Sequence, residues 1–148
     1  MTNFDNLYRS IIMEHYKRPR NKGLISDEKY TTVELLNPSC GDEVIVQYLI
    51  DNNLNIADIK YEGKGCSICC SSASIMSEAL VNKNINDVLL NINEFYELIK
   101  GSSYNEDYIN GDMLAFSGIK NFAARVKCAT LSWKALEKGL KQTLENKV

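Results

Sequence analysis

Apolar residues in this chain recur with a helical period at both ends and alternate with polar ones between residues 31 and 61. Phe4, Leu7, Tyr8, Ile11, Ile12 and His15 or Tyr16 return every three or four positions, the period of an amphipathic helix. Thr2 or Asn3 is its candidate cap, and Pro19 stops it. The run Lys17-Arg18-Pro19-Arg20-Asn21-Lys22-Gly23 reads as an exposed basic exit. Strands are predicted over Thr31–Leu36, Val44–Ile50 and Ile56–Tyr61, with Asp51-Asn52-Asn53 as a turn. Val44, Val46 and Tyr48 alternate against Ile45, Gln47 and Leu49, so the three segments suggest an antiparallel meander.

From Cys66 the period is helical again. Ile68, Ser72, Ile75, Met76, Ala79 and Leu80 suit a helix buried along one face. Val88–Ile99 forms another, ending before Gly101. Ser102–Phe122 is the least regular stretch, broken by Gly111 and Gly118. A stripe of Ala129, Trp133, Leu136, Leu140 and Leu144 marks a long last helix, with Cys128 at its start and Trp133 in the core. Strands first and helices afterwards predict an α+β fold, an antiparallel three-stranded sheet with helices packed on it. The 148 residues suit one domain, 1–148, without repeats.

Composition narrows the function classes. A net charge of −2 provides no field for nucleic acid. No stretch approaches the roughly 20 apolar residues of a membrane helix. Met1–Ile12 carries Asp5 and Arg9 where a signal peptide needs an apolar run, so a cytoplasmic protein is expected. Five cysteines is an odd count, and in a reducing compartment they are expected to bind metal, react or fill core space.

Cys40, Asp42, Cys66 and Cys128 form a candidate metal site. Cys40 and Asp42 flank Gly41 in a turn-forming run, Asn37-Pro38-Ser39-Cys40-Gly41-Asp42, where glycine permits the backbone angles that point both side chains at one ion. Cys66 and Cys128 each open a helix-like segment, where free N–H groups favour a thiolate. Three thiolates select Zn²⁺ or iron–sulfur species over hard cations, and four ligands suit tetrahedral zinc. Cys69 and Cys70 read as small core residues, because the βαβ setting of a dithiol redox motif is absent. His15 reads as packed or hydrogen-bonded rather than metal-bound. Arg125 and Lys127 flank Cys128 where cations oppose the helix dipole, which points to a role beside an anionic centre.

Four motifs carry a family resemblance over nearly the whole chain. His15–Asn21, Asn37–Asp42, Gly63–Cys66 and Val126–Leu131 are similar, in order, to iron–sulfur assembly proteins of the IscU/NifU type. The interval from Cys66 to Cys128 is longer than in the IscU branch and resembles the SufU branch, the extra length falling around residues 101–122. Lys127 stands where the IscU branch has a histidine, which argues against a stable cluster scaffold. The resemblance implies a zinc-dependent sulfurtransferase. It would take persulfide sulfur from a cysteine desulfurase of the SufS type and pass it to a SufBCD-type scaffold. Cys40 would accept the sulfur, Cys66, Cys128 and Asp42 would retain the zinc, and Arg125 would contact the persulfide or the partner. Two other readings stand beside it: a scaffold that itself assembles and transfers a [2Fe–2S] cluster or binds iron, and a structural zinc-binding interaction domain.

Overall fold

The alternation of residues 31–64 produces three antiparallel strands in sequence order: β1 (Thr31–Asn37), β2 (Asp42–Ile50) and β3 (Ile56–Lys64). The register runs from Thr31 opposite Tyr48 to Asn37 opposite Asp42, and from Glu43 opposite Lys64 to Leu49 opposite Asp58. A computed structural model describes residues 3–109 and 111–146, with side chains described from residue 8 onward. The candidate caps Thr2 and Asn3, and the side chains of Phe4 and Leu7, lie outside the described side chains.

Val33, Val44, Val46, Tyr48, Ile59 and Tyr61 are buried on one sheet face. The remaining elements are α1 (Asn3–Lys17), α2 (Ser67–Leu80), α3 (Ile85–Lys100), 3₁₀ turns at Glu106–Tyr108, Gly111–Phe116 and Ile119–Asn121, and α4 (Ala123–Asn146). Helix α4 packs on β1 and β2, α2 on β3 and α4, and α1 on α2. The approach of α4 is close. A Cβ on Gly139 would stand 2.7 Å from Tyr48 Cε1 and 2.9 Å from Val33 Cγ2. Trp133 stacks on Phe95 at 3.8 Å and donates its indole N–H to Ser72 Oγ at 2.8 Å, so its burial leaves no polar group unpaired.

Several boundaries differ from the sequence expectation. Helix α4 begins at Ala123, five residues before Cys128, so Cys128 sits in the second turn rather than at the helix start. Ala123, Ala124 and Arg125 are good helix formers but exposed, so no apolar stripe announces them. Helix α3 starts three residues early because Asn84 caps it, accepting the Asn86 N–H. It ends as expected at Gly101, in the left-handed region at φ 79°. Helix α2 is buried on nearly every side rather than one face, with Ser71, Ser72, Ser74 and Ser77 all buried. The basic exit is not wholly free, since Asn21 and Gly23 exchange backbone hydrogen bonds with Tyr61 on β3. Among the described residues, no helix is long and apolar enough to cross a membrane.

Candidate metal centre

The turn joining β1 to β2 is built for a close approach of its two ends. Asn37 O accepts the N–H groups of Cys40 at 3.2 Å and Gly41 at 3.0 Å, and Gly41 takes φ 70°, where glycine alone is unstrained. The turn leaves Cys40 exposed and sets Asp42, the first residue of β2, at 2% exposure.

Each oxygen of Asp42 has a distinct situation. Oδ1 accepts the Cys66 N–H at 3.1 Å, at the free N-terminus of α2. Oδ2 is buried and has no hydrogen-bond partner. Gly65 lies against this carboxylate at φ 150°; a Cβ there would fall 2.1 Å from Oδ1, so the position admits only glycine.

Cys128 is fully buried, and its thiol faces Ala124 O at 3.8 Å. Cys40 Sγ reaches the same carbonyl at 3.6 Å, so the two thiols converge. Asn37 Nδ2 points at Cys128 Sγ from 3.9 Å. Donor atoms of Cys40, Asp42 and Cys128 all lie within 4.8 Å of one another. Cys66 is the N-cap of α2 and neighbours Cys128, but it stands outside that mutual group. The structure thus brings three of the four expected donors together and places the fourth beside them. Arg125, exposed in the first turn of α4, stands beside the sulfurs of Cys66 and Cys128, and a thiolate at Cys66 is the first cause that raises its pKa.

The donor set fits a soft divalent cation. Burial, with the Asp42 carboxyl close by, pushes the Cys128 thiol well above its ordinary value. A buried thiol and a buried carboxylate oxygen without a partner are costly unless a cation joins them. Two thiols and a carboxylate match zinc or iron chemistry better than calcium or magnesium.

Other candidates fall elsewhere. Cys69 is 1% exposed in the core and its thiol is pushed up by burial; Cys70 is half-buried and raised for the same reason, with Lys22 opposing. His15 is buried with both ring nitrogens engaged, by Ser74 Oγ at 2.7 Å and Asp112 Oδ2 at 2.6 Å, as expected for a hydrogen-bonded histidine. That bond ties the segment 101–122 to α1. Asn37 and Gly65 are contributors that the sequence placed inside the ligand motifs without giving either a role at the site. Their signal, a polar residue three positions before Cys40 and a glycine directly before Cys66, becomes specific only in three dimensions. A groove of about 580 Å³ beside Arg125 is lined by Tyr8, Ile12, Ile68, Ile119 and Phe122.

Residues 7–142 match the family described as NifU-like N terminal domain. The chain is 45% identical over 138 residues to the zinc-dependent sulfurtransferase SufU of Bacillus subtilis (strain 168), covering 93% of this chain and 92% of that protein. It is 32% identical to the iron–sulfur cluster assembly scaffold protein IscU of Thermotoga maritima, covering 94% and 96%. A solved structure from Fervidobacterium islandicum AW-1, described as a candidate iron–sulfur cluster assembly scaffold protein for the SUF system, superposes with a TM-score of 0.77 at 33% identity, covering 88% and 93%.

Proposed function

The chain belongs to the NifU-like N-terminal domain family, and from that premise we propose that it is an iron–sulfur cluster assembly protein acting as a zinc-dependent sulfurtransferase. One observation carries the reading: an exposed thiol, Cys40, shares a donor group with a buried thiol and a buried carboxylate. Buried donors retain an ion, while an exposed one on a turn can leave it and meet a partner.

Asp42, Cys128 and Cys66 would hold the zinc, with Cys40 as the exchangeable donor. Zinc has no redox chemistry, so when bound it keeps a thiol deprotonated without oxidising it. The Cys40 thiolate attacks the terminal sulfur of a donor persulfide. A new S–S bond forms on Cys40, the donor's S–S bond breaks, and the donor leaves as a thiolate. Arg125, exposed beside the Cys66 and Cys128 sulfurs, offers a fixed cation to the anionic persulfide. The donor is a cysteine desulfurase of the SufS type, and the recipient a SufBCD-type cluster scaffold, in the reducing cytoplasm. Leu36, one residue before the turn, and Phe122, just before α4, are exposed and give the site an apolar rim suited to a protein partner.

The test is desulfurase turnover with this protein added. Wild type stimulates the enzyme and acquires a persulfide on Cys40, read by mass spectrometry. Stimulation by Cys40→Ala equal to wild type would sink the acceptor assignment. The scaffold reading draws on relatives at lower identity, the IscU proteins at 30% and 32%, and predicts visible absorption after anaerobic reconstitution.

A further inference from the structure

We propose that Cys66 and Cys69 form a reversible disulfide under oxidation, which removes Cys66 from the metal centre; only the consequence for metal rests on the functional reading above. The pair sits where β3 gives way to α2. Gly65 turns the chain, and Cys66 caps the helix in an extended conformation, φ −73° and ψ 167°, with no side-chain hydrogen bond to its own helix. Its sulfur is therefore not committed to capping.

Cys69 lies in the first helical turn, three residues on. Helical side chains lean toward the helix N-terminus, and positions i and i+3 share a face, so Cys69 leans toward Cys66. Its electrostatic neighbours are Asp42, Cys70, Cys66 and Cys40, which places it at the metal-centre end of the core. A half-exposed thiol at a helix cap and a buried one three residues later is the Cys-x-x-Cys spacing of dithiol redox motifs. Cys70 is the competing thiol: its sulfur lies 3.9 Å from Gly65 O, next to Cys66, and 3.9 Å from the position a Cβ would take on Gly63, but it is half-buried toward β3 rather than in the core.

The chemistry needs one oxidant, a hydroperoxide. Cys66 attacks the peroxide oxygen and becomes a sulfenic acid, and the peroxide leaves as an alcohol, or as water from hydrogen peroxide. The Cys69 thiol then attacks the sulfenic sulfur. An S–S bond forms, the S–O bond breaks, and water leaves. Two thiols lose two electrons and two protons, and an external dithiol reverses the change by exchange. Cys69 thereby keeps Cys66 from irreversible sulfinic oxidation, and its burial shields it from direct attack.

The experiment treats the full-length zinc-loaded protein with hydrogen peroxide, alkylates the remaining thiols and maps peptide 65–83 by tandem mass spectrometry, with released zinc read by a chromophoric chelator. The expected result is a Cys66–Cys69 bond, loss of two alkylatable thiols, zinc release, and reversal by dithiothreitol. Cys70→Ala should behave like wild type. Cys69→Ala, which keeps a small apolar residue in the core, should form no bond in that peptide and carry Cys66 on to sulfinic acid. A wild-type protein whose Cys66 becomes sulfinic while Cys69 stays free would overturn the proposal, as would a bond that survives Cys69→Ala. Mapping the metal-free protein separates the two readings. A Cys66–Cys69 bond in a chain that never binds zinc keeps the redox pair and defeats the zinc assignment.

Discussion

The two sides of the candidate metal centre are built differently. Asp42 and Cys128 project from a strand and a long helix, both buried, and each is held by neighbours: the Cys66 N–H and Gly65 around the carboxylate, Asn37 and Ala124 O around the thiol. Cys40 projects from a four-residue turn, is exposed, and its thiol faces Ala124 O at 3.6 Å. The buried side is preorganised and pays its desolvation whether or not an ion is present. The exposed side can move at little cost. A centre meant only to hold metal gains nothing from that asymmetry, whereas one that must release a nucleophile needs it.

Removing the charge of the buried side should have the largest effect. Asp42→Asn keeps the shape and the acceptor for the Cys66 N–H but replaces the unpaired Oδ2 with an N–H donor that cannot ligate. Disturbing partners behind a metal ligand already costs about 10- to 100-fold in affinity, so losing the ligand itself should cost at least the upper figure. Zinc per chain after competition with a chelator measures it. The same change in the metal-free protein should shift stability by less than about 1 kcal/mol, because the oxygen it replaces makes no bond there. If both forms lose stability equally, the carboxylate is structural and the comparison collapses.

Two glycines sharpen the contrast at smaller scale. Gly65→Ala drives a Cβ into Asp42 Oδ1 at φ 150° and should cost about 1–3 kcal/mol with a parallel loss of zinc. Gly41→Ala, at φ 70° with open space around it, should cost about 1 kcal/mol and leave zinc content unchanged. Urea denaturation beside a zinc assay separates the two.

What was legible in the sequence follows the same division. The strands and the Trp133 stripe could be read because burial writes a period of two or of three to four into the residues. The start of α4 could not, because Ala123, Ala124 and Arg125 are exposed and carry no period. That error misplaced Cys128, which takes no help from a helix terminus and relies on Asn37 instead. The pairing of Cys40 with Asp42 was readable from one glycine between them. The offset of Cys66 from the tight group was not, because it depends on how α2 docks on β3.

The smallest effect is a pH dependence carried by the buried side. In the metal-free protein, burial holds the Cys128 thiol above its ordinary value of about 9, so the folded chain keeps a proton that the unfolded chain releases. Below that value both states are protonated and the group is neutral to stability. As pH rises past about 9 the unfolded state loses its proton first, and stability should fall steadily with pH. Cys69, raised by burial as well, adds to the same slope. With zinc bound, the Cys128 proton is already gone and its share of the slope should vanish over that window. Urea midpoints from pH 8 to 10, with and without zinc, test this. Cys128→Ala should flatten the metal-free curve in part; a curve it leaves as steep as before would mean that the buried thiol does not bear the cost of holding the centre together.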